Sequence, residues 1–113
     1  MSFNPVATFR HGNPLMIDHT PVGAIAAGDI VALGTHLGIC HNPIPAGVLG
    51  ALSIGKGVYR VLKDTSVFAA GDPVYSDATA HRGSSTASGN TLLGWAETAV
   101  GTGSAFVDVV FNQ

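Results

Sequence analysis

Ala105-Phe106-Val107-Asp108-Val109-Val110-Phe111 is the stretch whose reading decides the fold. Ala105, Val107, Val109 and Phe111 fall on one side of an extended chain and Phe106, Asp108 and Val110 on the other. That period of two marks a half-buried β-strand, with Asp108 on the wetter face. Working back along the chain, apolar runs of similar shortness recur at Val6 to Arg10, Leu15 to Ile17, Ile30 to Leu33, Leu37 to Cys40, Val48 to Ile54, Val58 to Leu62, Val74 to Ser76 and Leu92 to Thr98. Gly, Pro, Asn or Asp interrupts them every few residues, which is strand-and-turn punctuation. No segment sustains a helical period; Val22 to Ala27 is at best one helical turn, weakened by Gly23 and Gly28. The pattern predicts an all-β fold: a compact β-barrel or β-clip-like domain of short strands with little helix.

An internal echo organises these strands. Ala26-Ala27-Gly28-Asp29-Ile30-Val31 returns as Ala69-Ala70-Gly71-Asp72-Pro73-Val74. Gly28 and Gly71 supply positive φ, Asp29 and Asp72 supply carboxylates for nearby backbone N–H groups, and the apolar residue that follows starts a strand. These four are read as structural turn residues. Looser echoes pair Leu49-Gly50-Ala51 with Leu93-Gly94-Trp95, and Gly57 to Val61 with Gly103 to Val107. The expected organisation is an N-terminal arm with the first strands over residues 1–19, then one β domain over 20–113 built of units at roughly 20–65 and 66–113. Residues 81–90, rich in Ser, Thr, Gly and Ala, read as a polar loop.

Composition narrows the function classes. The 113 residues make one domain. Only 11% of them are charged, against roughly a quarter in ordinary soluble proteins. So neutral a surface favours burial against other subunits. The net charge of -2, with Arg10, Lys56, Arg60, Lys63 and Arg82 scattered, leaves no footprint for nucleic acid. Cys40 is the single cysteine, which rules out an internal disulfide and a multi-cysteine zinc site. The opening Met1-Ser2-Phe3-Asn4-Pro5 lacks the regions of a signal peptide, and no apolar run approaches membrane-spanning length, so synthesis in the cytosol and no membrane are expected.

Catalytic constellations are sparse. Histidines 11, 19, 36, 41 and 81 show no His-x-His or HExxH spacing, and Glu97 is the lone glutamate. Cys40 and His41 are neighbours in sequence, but adjacent strand residues face opposite ways, which is poor geometry for activating a thiolate. Gly55-Lys56-Gly57 and Gly101-Thr102-Gly103 lack the full phosphate-loop spacing and read as hairpin turns. Ser53, Ser84 and Ser104 lack a GxSxG context. Trp95 with Tyr59 or Tyr75 would make a sugar platform if exposed, or packing if not. The expectation is no enzyme, no metal and no cofactor.

Ala27-Gly28-Asp29-Ile30-Val31, Gly38-Ile39, Gly57-Val58-Tyr59, Ala69 to Tyr75, Leu93-Gly94 and Val107-Asp108-Val109 follow one another across nearly the whole chain. Their order resembles the tailed-phage capsid decoration, or cement, protein family, formerly a domain of unknown function. Ser76-Asp77 departs from it, where members often carry an aromatic residue before the Asp, and the segment up to His19 diverges. The resemblance implies a virion protein on the capsid exterior, made in the host cytoplasm. It would be a homotrimer whose partner is the phage major capsid protein, and it would stabilise the expanded head. Within that frame the N-terminal arm, with Phe3, Val6 and Phe9 and the anchors Arg10 and His11, is expected to contact the capsid or a neighbouring subunit by adding a strand to a sheet edge. Phe3 and Phe9 serve equally well as caps on the protein's own core. The alternative class is a small ligand- or glycan-binding β module with the same Gly-Asp turns.

Overall fold

Apolar runs this short cannot complete enough turns for a stable helix, and the chain satisfies its backbone between strands instead. The computed structural model describes residues 6–12, 15–34 and 36–111. It contains β1 (Ala7–His11), β2 (Leu15–His19), β3 (Ile30–Leu33), β4 (His36–Cys40), β5 (Gly50–Gly55), β6 (Gly57–Leu62), β7 (Pro73–Asp77), β8 (Arg82–Ser84), β9 (Thr91–Ala96) and β10 (Phe106–Phe111). No helix occurs among the described residues. The all-β reading with its internal echo holds.

The strands form two sheets, one of six in the order β1-β6-β10-β9-β7-β8 and one of four in the order β2-β5-β4-β3, with every strand pair antiparallel. β10 is central to the large sheet, and its alternation is as read: Val107, Val109 and Phe111 are buried, while Phe106 is exposed. Tyr59 and Val61 of β6, Leu93 and Ala96 of β9, and Leu37 and Ile39 of β4 complete one core between the sheets. Burying each large side chain in it contributes about 1.5–3 kcal/mol. The reverse face of the small sheet carries a second cluster of Cys40, Ile44 and Leu52, against which Ile17, Ile25, Val31 and Leu33 pack. The irregular segments 20–29 and 41–49 bring Ile25 and Ile44 to it, joined by a bridge between those two residues. Val22 to Ala27 is thus bridged loop, with Val22 wholly exposed.

The arrangement is sandwich-like, with the large sheet curled. Its last strand returns to the end of β6 through a parallel bridge between Lys63 and Gly83, where the Asp64 N–H donates to the Gly83 carbonyl at 3.0 Å. β8 lies inside the segment expected to be a polar loop. Nothing in the alternation of Arg82-Gly83-Ser84 announces a strand; it forms because Gly83 has no side chain, and a Cβ there would stand 3.2 Å from Val74 and 3.5 Å from the Leu62 carbonyl. Lys63 is buried at the same corner, its ammonium donating to the carbonyls of Asp64 at 3.0 Å and Ser66 at 2.8 Å.

The echo is structural. In the first unit the Gly28 N–H donates to the Cys40 carbonyl and the Cys40 N–H to the Asp29 carbonyl; in the second the Gly71 N–H donates to Ala96 and the Ala96 N–H to Asp72. The bridge between Ile25 and Ile44 has its counterpart between Phe68 and Val100. Turns at 45–48 and 101–104 follow, closed by Val48 N–H to Pro45 and Ser104 N–H to Gly101. The equivalence starts earlier than the turn motif, since β2-β5-β4-β3 corresponds to β6-β10-β9-β7. β5 therefore matches β10. The looser echoes of Leu49 to Ala51 with Leu93 to Trp95, and of Gly57 to Val61 with Gly103 to Val107, are coincidences of a Gly-rich composition. β1 and β8 are additions to the two ends of the second unit.

Candidate functional site

The two turns have the same local chemistry. Gly28 and Gly71 sit at φ 86° and 88°, a region that costs an L side chain roughly 1–2 kcal/mol. Asp29 Oδ2 accepts the Ala26 N–H at 2.9 Å and Asp72 Oδ2 accepts the Ala69 N–H at 2.8 Å. All four residues hold backbone. The two carboxylates occupy separate turns and do not face each other across a shared site.

The N-terminal residues divide by depth. Val6 and Ala7 belong to the core between the sheets, and β1 is paired along β6. Phe9 is part-exposed, its ring 5.2 Å from that of His41 and 5.5 Å, edge-on, from that of Tyr59. Arg10 is exposed. His11 is also exposed and lies 3.4 Å from the Glu97 carboxylate, a surface pair of small energetic weight. Phe3 lies outside the described residues. Deleting residues 1–11 therefore removes a sheet strand and two core side chains together with whatever their surface contacts.

Behind Phe9 the Tyr59 hydroxyl bonds to His41 Nε2. Burial lowers the His41 pKa and raises that of Tyr59, against the opposing Ser53 hydroxyl. A neutral imidazole accepting from a protonated phenol satisfies both shifts. Cys40 turns the other way: its Sγ donates to the Asn42 carbonyl at 2.8 Å, and burial, reinforced by Asp29, pushes the thiol up. That is the reverse of an activated thiolate. Among the described residues no three His, Cys, Asp or Glu side chains gather where they would hold a metal ion. Tyr59 is fully buried and Trp95 stands half-exposed on the outer face of the large sheet, so those two make no common platform.

Among the described residues, two surface concavities stand out. One, of about 370 Å³, runs along β3 beneath the β7–β8 turn and contains Asp29, already engaged in capping. The other, of about 470 Å³, lies between β1 and the first Gly-Asp turn and is walled by Phe9 and His41. Cys40 also lines the second, with its thiol bonded to the Asn42 carbonyl and its pKa pushed up by burial.

What distinguishes the molecule is the placing of its charge. No Lys or Arg occurs between Arg10 and Lys56, and only Asp18 and Asp29 are acidic there. The four-stranded sheet and its covering loops are thus almost uncharged, and Leu15, Met16, Val22, Val48 and Leu49 are exposed on them. The large sheet carries the rest, including Arg60 paired with Asp108 at 3.2 Å and set 6.0 Å over the Phe106 ring. The gap in basic residues was readable in the sequence. That β2 ends its sheet among the described residues was not, since strand order is a tertiary fact.

A family model described as phage cement protein matches residues 9–111 of the chain. No curated protein and no solved structure matches it.

Proposed function

Because the chain belongs to the phage cement protein family, a family of structural proteins that bind the phage capsid, we propose that it sits on the capsid exterior as a homotrimer, contacts the major capsid protein and stabilises the expanded head. The observation that supports this reading is the uncharged half of the molecule. Apolar side chains exposed with almost no charge among them cost solubility in a free monomer and are covered when subunits and shell meet. The arm residues Phe9, Arg10 and His11 extend that contact surface beside the second concavity, with Val6 and Ala7 as their anchor in the core.

The mechanism is linkage. A ligand that binds the expanded lattice and not its precursor stabilises the lattice by mass action, about 2.7 kcal/mol per site at a hundredfold excess over Kd. Many copies on one shell sum that into resistance to pressure from within, and no chemistry is involved.

Light scattering on the purified protein, followed by co-sedimentation with expanded heads that lack it, tests the proposal. A trimer in solution or on the heads, bound at fixed stoichiometry to expanded heads and not to unexpanded ones, is expected. A monomer that leaves both kinds of head bare would overturn it.

A further inference from the structure

The echoed loop pairs of the two units end in tips of opposite character. In the first unit the segments 20–29 and 41–49 are joined by the bridge between Ile25 and Ile44 and by the Gly47 N–H, which donates to the Pro21 carbonyl at 2.8 Å. Val22 follows Pro21, and Val48 and Leu49 follow Gly47; the three are 100%, 48% and 64% exposed. In the second unit the bridge between Phe68 and Val100 and the bond from the Lys63 N–H to the Ala105 carbonyl hold the same kind of loop pair. Thr65, Ser66, Thr102, Gly103 and Ser104 occupy its end, with Val67 the one large apolar side chain exposed there. Polar residues thus complete such a tip equally well. The apolar side chains of the first tip are not required by the turn, and its backbone bonds hold them out in water, where a free surface gains nothing from them.

The chain also carries a hollow of matching chemistry. The second concavity, about 470 Å³, is lined by Ala7, Thr8, Phe9, Ala27, Cys40 and His41, with no Lys, Arg, Asp or Glu among its walls. Its two polar side chains of β4 and the residue after it are already engaged, the Cys40 thiol with the Asn42 carbonyl and His41 Nε2 with the Tyr59 hydroxyl. The first concavity contains His19, Asp29, Asp77 and His81, so an apolar tip seated there would take carboxylates out of water.

We infer that the Val22, Val48 and Leu49 tip of one copy seats in the hollow between β1 and the first Gly-Asp turn of the next, and that this contact builds the homotrimer. The inference rests on the homotrimer of the reading above. Tip and hollow are different surfaces of the chain, so the contact is head to tail and closes as a ring in which each copy is held twice. One such contact covers on the order of a few hundred Å², short of the about 800 Å² that each partner buries in a stable complex. A ring, in which every copy contributes both its tip and its hollow, comes closer to that figure than an isolated pair.

Light scattering on the parent protein, on the tip variant Val22→Ser with Leu49→Ser, on the hollow variant Ala27→Leu and on an equimolar mixture of the two variants tests the contact. The parent should be a trimer. Each variant alone should associate at least tenfold more weakly with its thermal midpoint kept, and the mixture should form two-chain complexes, because one intact tip then meets one intact hollow. If Ala27→Leu fails to fold, Phe9→Ala, which takes away a wall of the hollow, replaces it. Where the parent trimerises only on expanded heads, the same four samples are compared there by chemical cross-linking. A mixture that stays as monomeric as its components would overturn the inference and leave the capsid reading standing. A tip variant that remains trimeric would overturn it as well, and loss of head binding by that trimer would assign the tip to the shell. A parent bound to heads as separate monomers would bring down the homotrimer and the inference together, and a monomer that leaves every head bare would bring down the capsid reading with them.

Discussion

Gly71 holds φ 88° with open space where a Cβ would stand, so a side chain there adds backbone strain and no clash. Gly71→Val should lose about 1–3 kcal/mol in urea unfolding. Gly23, equally open and with φ outside the left-handed region, should accept Ala within about 0.5 kcal/mol. Equal midpoints for the two variants would sink the turn assignment. This much was legible in sequence, because Gly before Asp before an apolar residue is local chemistry. The His41–Tyr59 bond was not, since it joins residues distant in the chain. Its pH dependence follows from His41, whose folded pKa is lowered by burial. The folded state then binds fewer protons than the unfolded one below the ordinary value of 6.5. Stability is complete above 6.5, falls as pH drops through it, and stops falling below the lowered value. His41→Gln, polar but not titrating, should lose less of its urea midpoint between pH 7 and pH 5 than the parent protein. An equal loss would place the pH dependence elsewhere.

Among elements, the approach to the second turn is the sharpest test of register. Val67 is 61% exposed and Phe68 1%, and Phe68 bridges Val100. Phe68→Ala should cost about 3–5 kcal/mol and Val67→Ala less than about 0.5 kcal/mol by denaturant unfolding. A reversed ranking would mean the segment is displaced by one residue, which exchanges every side chain between faces. Strands with clear alternation, such as β10, were found from periodicity alone. β8 escaped because Gly83 is in the strand for what it lacks, and a missing side chain has no period. The turn at 45–48 was likewise hidden inside a longer apolar stretch, although Ala46-Gly47 repeats the Ala-Gly of the first motif and Gly47 also takes a positive φ, 74°.

At the scale of the whole molecule, two equivalent units are made unequal by what is added to them. The second unit gains β1 and β8 and nearly all the charge. The first is left almost uncharged, and among the described residues β2 ends its sheet. The sequence by itself determined the all-β class, the doubling and the turn chemistry, because side-chain period, Gly conformational freedom and Asp capping act over a few residues. It also placed the gap in basic residues that makes one half of the molecule neutral. Only the tertiary structure decided that β1 lies along β6, that Tyr59 is buried away from Trp95, and which strands end the two sheets among the described residues. A period of two says which face of a strand is buried but does not name the neighbour it pairs with; that choice is made by long-range packing between segments that lie far apart in the chain.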